Sequence, residues 1–173
     1  ARCQYHYGIS LVKDKSLQSK TEQERKNYMQ QAIVAYNKAI AILPSYSEAY
    51  ADLGLAYYRL KNLKAAEKAL LKAVKLKPSN ATAYSNLGSL YFGLKKYNDA
   101  KLAYENAIKY NPTHIDALAN YASTLGTLGD YNGAITYFKK AIALNPNEPN
   151  YYNMISVSYQ NLGNQQQANS WKQ

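Results

Sequence analysis

Residues 50–78 read YADLGLAYYRLKNLKAAEKALLKAVKLKP, and this stretch decides the fold. Tyr50, Leu53, Gly54 and Tyr57 recur at intervals of three and four, which puts them on one face of an α-helix. Ala66, Leu70, Ala73 and Val74 form a second such stripe, separated from the first by Arg59 to Leu63. Ser47 and Asn62 are the expected N-caps, because their side-chain oxygens can accept free backbone N–H groups. Pro78 ends the second helix, since it lacks an N–H and pushes its predecessor out of the α region. The stretch therefore predicts a helix, a tight turn and a helix. Small Gly54 and Ala66 let the two backbones approach, and Tyr50, Tyr57 and Leu70 fill the space around that contact. One pair cannot bury such a stripe alone, so it must stack on another pair.

Outward from this stretch, the chain repeats it. Pro44, Pro78, Pro112 and Pro146 lie 34 residues apart. Ala32, Ala66, Ala100, Ala134 and Ala168 keep the same interval, as do Ala39, Ala73, Ala107 and Ala141. The units run at about 1–46, 47–80, 81–114, 115–148 and 149–173, the last stopping inside its second helix. The first is twelve residues longer than the others. Its extra residues lie between Val12 and Arg25 and are nearly all polar. Thr21 with Glu24 reads as a capping box, which starts the second helix near Glu22 and makes it about two turns longer than its counterparts. A tolerated surface extension and a contact made for one partner are both open for residues 13–24.

The pattern of a large residue, Leu-Gly, Tyr, Ala, a large residue, Ala and Pro resembles the tetratricopeptide repeat (TPR). The third unit carries it as Tyr84, Leu87, Gly88, Tyr91, Ala100, Tyr104, Ala107 and Pro112. The fourth departs in its first helix, with Tyr121 and Ala122, and rejoins at Ala134, Phe138, Ala141 and Pro146. The resemblance implies an all-α solenoid of antiparallel helix pairs, a single domain over 1–173 wound as a right-handed superhelix. The opening Arg2-Cys3-Gln4-Tyr5-His6-Tyr7-Gly8 also resembles the start of the TPR tails on membrane-bound O-glycosyltransferases.

Chemistry is sparse. The 173 residues include 47% hydrophobic and 18% charged, an ordinary composition with enough apolar content for a core. One cysteine excludes an internal disulfide framework and a zinc site built from several thiolates. Cys3 itself reads as a small packing residue. No apolar run approaches the ~18 residues that a membrane helix needs. His6 and His114 fall in different repeats, and there is no Gly-rich phosphate loop, His-Glu-x-x-His or serine elbow. No enzyme activity, cofactor or metal is expected. The 19 tyrosines mostly occupy large-residue slots, as core filler. The chain opens on Ala rather than Met, so it reads as a piece of a longer protein, with a cytoplasmic and an extracytoplasmic setting both open.

The formal charge is +10, and residues 1–46 and 47–80 each carry seven basic and three acidic residues. Lys61, Lys64, Lys68, Lys72 and Lys75 recur at three and four along the second helix of the second unit. Without interleaved arginines and aromatics this stripe reads as a solvated face, with weak polyanion binding, to nucleic acid or an anionic membrane surface, as the rival; nucleic acid is not the expected partner.

The functional expectation rests on the first helix of each pair, which by resemblance lines the concave wall of a TPR superhelix. Its groove-facing positions carry Asn, Asp and Ser where chaperone-binding TPR domains carry Lys and Arg, so that carboxylate clamp is missing. The slot before Leu-Gly holds Asp52, Asn86 and Asn120 in consecutive repeats, similar to the asparagine ladder with which other TPR superhelices hold an extended peptide. A carboxamide both donates and accepts, so it can pair with a peptide backbone whatever its side chains. The ladder is incomplete, with His6 and Met154 in the first and fifth units. Ser89, Ser123 and Asn153 stand on the same face. Tyr58 and Phe92 hold equivalent edge slots, either as packing or as a pocket for a partner's apolar side chain. The expected function is a non-enzymatic protein–protein interaction module. The alternative is an accessory, substrate-recruiting domain of a larger enzyme.

Overall fold

The structure, a computed structural model, describes residues 1–16 and 21–172. Ten α-helices and no strand occur among the described residues. They are α1 (Arg2–Ser10), α2 (Glu22–Ile42), α3 (Ser47–Arg59), α4 (Leu63–Leu76), α5 (Ala81–Gly93), α6 (Tyr97–Tyr110), α7 (Ile115–Thr127), α8 (Tyr131–Leu144), α9 (Pro149–Asn161) and α10 (Gln165–Ser170). A π-helical segment, Leu11–Ser16, continues α1, a feature that the periodicity did not foretell. The chain divides into two compact units, Ala1–Leu90 and Tyr91–Gln173.

The helix pairs follow the repeat register. Every alanine of the two 34-residue series, Ala32 to Ala168 and Ala39 to Ala141, is at most 1% exposed. The glycine slot explains why these contacts must be small. A methyl group on Gly54 would meet Leu70 Cγ at 2.5 Å, and one on Gly8 would meet the Tyr36 ring at 2.5 Å. In both of these pairs the large residue of the second helix thus lies directly over the glycine of the first.

In the first unit, Leu11, Ala32, Tyr36, Leu53, Ala56 and Ala69 form one core cluster, with Tyr5, Ile9, Tyr28 and Tyr57 packed on it. Thr21 and Glu24 close the expected capping box, and α2 has 21 residues against 14 in α4. Leu17 to Lys20, within the extra segment, lie outside the described residues. In the second unit, Tyr104 and Phe138 are the large buried side chains of α6 and α8. The Tyr121 hydroxyl donates to Glu105 Oε1 at 2.7 Å, and its ring meets Tyr137 edge-on.

Three local expectations change. Asn62 caps α4 as expected, accepting from the Ala65 N–H, but Ser47 is the first residue of α3 rather than its cap. Its hydroxyl donates to the Ala73 carbonyl at 2.9 Å and accepts from Asn80 Nδ2 at 2.7 Å, bridging the start of α3 to the end of α4. A buried link to the next turn outcompetes a local cap. Cys3 is exposed rather than packed, on the face of α1 away from Gly8. Finally, Lys61 sits in the turn before α4 with φ 63°, leaving the stripe on α4 to Lys64, Lys68, Lys72 and Lys75. Lys95, Gly129 and Gly163 repeat that left-handed turn residue at the same 34-residue interval. At the two lysines it costs about 1 kcal/mol each.

Candidate functional site

The residues singled out on the first helices fall into both units. Asp52 and Tyr58 on α3, and Asn86 and Ser89 on α5, belong to the first. Phe92, at the end of α5, belongs to the second with Asn120, Ser123 and Asn153.

Asp52 is half-buried and engaged. The Tyr5 hydroxyl of α1 donates to its Oδ2 at 2.8 Å. Burial pushes the Asp52 carboxyl above the usual carboxylate range, against the opposing pull of the Tyr5 hydrogen bond and of the Lys13 and Arg59 charges. Burial together with the nearby carboxylate in turn drives the Tyr5 hydroxyl well above its ordinary value. Tyr36 is raised by burial first and by Asp52 second. Asn86 donates from Nδ2 to the Ala51 carbonyl at 3.3 Å, so one arm of its carboxamide ties α5 to α3. By donor count it keeps a second N–H and its carbonyl oxygen for another partner.

Asn120 and Asn153 are exposed. The Ser89 and Ser123 hydroxyls donate back to the carbonyls of Ser85 and Ala119, as serines in a helix commonly do. Phe92 packs edge-on against Tyr97 of α6, with ring centroids 5.3 Å apart. Tyr58 is half-buried, and its carbonyl accepts the Lys61 N–H at the turn.

Beside Asp52 the first unit opens a cleft of about 250 Å³. Asp52, Leu55 and Arg59 of α3 form one wall at helical spacing. Ile9 and Val12 of the first-helix segment and Met29 and Tyr36 of α2 complete an apolar interior. Lys13 and Arg59 put two cations on its lining. Leu55 and Arg59 follow Asp52 at three and seven positions, a spacing that puts them on its face of α3. The contributions of Val12, Lys13 and Met29 were not legible in the sequence, because they depend on the π-helical segment and the lengthened α2. Among the described residues no group of His, Cys, Asp and Glu side chains could hold a metal ion, and no helix is long and apolar enough to cross a membrane.

Comparisons with known proteins agree with the register. Family models for the TPR repeat match residues 26–61 and 58–95, and tetratricopeptide repeat models match 81–114, 115–148 and 137–168. Among solved structures, a crystal structure of MamA is 27% identical, with a TM-score of 0.75 over 87% of this chain and 88% of that chain. A second MamA structure is 25% identical, with a TM-score of 0.74 over 96% and 88%. YrrB, described as a TPR protein with an unusual peptide-binding site, shares the fold at 20% identity, with a TM-score of 0.70 over 95% and 82%. No match was found among the curated proteins. Helix pairs at a 34-residue interval, glycine under the large residue of the partner helix, and repeat models from residue 26 to 168 agree: the chain belongs to the tetratricopeptide repeat family.

Proposed function

We propose that this chain is a non-enzymatic protein-interaction module that holds an extended peptide segment on the first-helix face of its repeats. The observation that carries the reading is the cleft beside Asp52. It is concave, apolar inside and lined by the same α3 positions that a groove ligand would meet. Such a cleft suits one apolar side chain of a partner, and Lys13 and Arg59 suit an acidic residue next to that anchor. Asn120 and Asn153, exposed on the first helices of later repeats, suit the peptide backbone. The fold shared with YrrB, whose description names a peptide-binding site, is in keeping with this.

The ladder is uneven in this reading. Asp52 already accepts from Tyr5, and Asn86 already donates to Ala51, so Asn120 is the rung with most to offer. A peptide-library screen followed by calorimetry tests it. Each lost carboxamide bond is worth about 0.5–1.5 kcal/mol, so Asn86→Ala/Asn120→Ala weakens binding by roughly 5- to 150-fold. Leu55→Asp, which puts a second carboxylate into the cleft, weakens the same peptides at least as much. Selected peptides that bind both variants as well as the parent chain would overturn the reading.

A further inference from the structure

We propose that a second groove of the first unit, lined by α2, α3 and α4, docks an acidic amphipathic helix of a partner protein. The groove has a volume of about 720 Å³. Tyr50, Leu53 and Tyr57 of α3 contribute its apolar floor, and Asn37 of α2 lines it from another side. Lys68, Lys72 and Lys75 of α4 line it as well, together with Leu71, which is 47% exposed. It shares no residue with the cleft beside Asp52.

Along the sequence no aromatics are interleaved with these lysines. The fold supplies those aromatics from the neighbouring helix, where only the packed structure places them. Lys68, Lys72 and Lys75 stand at i, i+4 and i+7, so they form one row about 10 Å long. Lys26, Lys77 and Lys101 each meet a glutamate, whereas these three make no ion pair among the described residues. Residues 1–90 carry fourteen basic against six acidic residues, so the unit does not neutralise them from within. Charge and shape together select the occupant. A bilayer surface or a nucleic-acid duplex meets the lysines but leaves the recessed apolar floor uncovered. A helix fills the recess with apolar side chains at i, i+3 and i+4 while acidic residues on its flank face the lysine row.

The test is display selection of a helix library against the parent chain, with counter-selection on Lys68→Glu/Lys72→Glu/Lys75→Glu. All three lysines are exposed, so circular dichroism and melting of the variant should match the parent. Enriched helices are expected to carry Asp or Glu at i, i+4 and i+7 beside an apolar stripe. Charge reversal should weaken the best of them by about tenfold or more, with a loss on raising salt. Leu71→Ser should weaken them several-fold at unchanged salt dependence. No selected helix that depends on the three lysines, or enriched helices without acidic periodicity, overturns the proposal. So does tighter lysine-dependent binding of a 20-nucleotide uridine oligomer, or of phosphatidylglycerol-containing vesicles, than of any selected helix.

Discussion

A contact as tight as any at a glycine of the first unit makes Gly54 a sharp test of the packing. Adding one methyl group there places a carbon 2.5 Å from Leu70 Cγ, 2.8 Å from Leu70 Cδ2 and 3.2 Å from the Ala66 carbonyl oxygen. Leu70 is fully buried, and the atom in the way is its branch carbon rather than the far end of a flexible chain. Either Leu70 leaves its rotamer or α3 and α4 move apart. Overpacking of this kind costs about 1–3 kcal/mol, against a gain of up to about 1 kcal/mol for replacing glycine inside a helix. Gly54→Ala is therefore expected to destabilise by about 1–2 kcal/mol, lowering Tm by roughly 5 °C in a chain of this size. Gly126→Ala is the control. A methyl group there meets only Ala134 Cβ, at an ordinary 3.7 Å, so the helix gain of about 0.5 kcal/mol goes uncontested.

The double variant separates a clash from other effects. Leu70→Ala alone leaves a cavity costing about 2–5 kcal/mol, and a methyl group at position 54 points into that space. Gly54→Ala/Leu70→Ala should then cost less than the sum of the single changes by about 1 kcal/mol or more. Urea unfolding followed by circular dichroism at 222 nm reads all four chains. If Gly54→Ala is as stable as the parent, or if the two changes add, the glycine is not held small by Leu70 and the packing argument fails.

Two further outcomes follow from the structure. Because the Asp52 carboxyl is held above its unfolded range, the folded chain keeps a proton that the unfolded chain has released, and stability falls as pH rises through the window between the two. Asp52→Asn keeps an acceptor for Tyr5 and should flatten that slope in unfolding midpoints measured from acid to neutral pH. Tyr5→Phe should cost about 1.5–3 kcal/mol at neutral pH and clearly less in the Asp52→Asn background; an unchanged slope or equal costs would count against the pair. At the other end, α10 has six residues and is held by buried Ala168, whose carbonyl accepts the Ser156 hydroxyl at 2.7 Å. Its amides should exchange about 100-fold or more faster than those of Ala66 to Ala73, and faster still in Ser156→Ala; protection equal to α4 would refute this.

The fold was legible because its signals are local and repeated. Alanine at two 34-residue registers, proline after each second helix, and the Thr21–Glu24 box each act within a few residues, and all keep their expected places. What the sequence could not disclose lies where two distant segments compete for one group. Ser47 has the chemistry of an N-cap, yet its hydroxyl is claimed by Ala73 and Asn80, 26 and 33 positions away. Lys61 continues the spacing of the lysine stripe but falls in a left-handed turn. Cys3 looks small enough to pack, but Gly8 takes the position beneath the Tyr36 ring.

The same distinction governs the candidate sites. Asp52, Asn86 and Asn120 occupy one repeat slot, so sequence alone treats them as equal rungs. In the fold, α1 supplies a tyrosine hydroxyl to the first, α3 supplies a carbonyl to the second, and the third is exposed. Equivalent positions in a repeat protein share a backbone environment but not a set of partners, because each repeat meets different neighbours. The first repeat differs most, with its π-helical segment and its α2 longer by two turns, and the cleft beside Asp52 and the groove beside the lysine row both lie in the unit that contains it. Departures from the consensus are thus where specificity can be built: the consensus residues hold the helices together, and the deviations shape the surface that a partner meets.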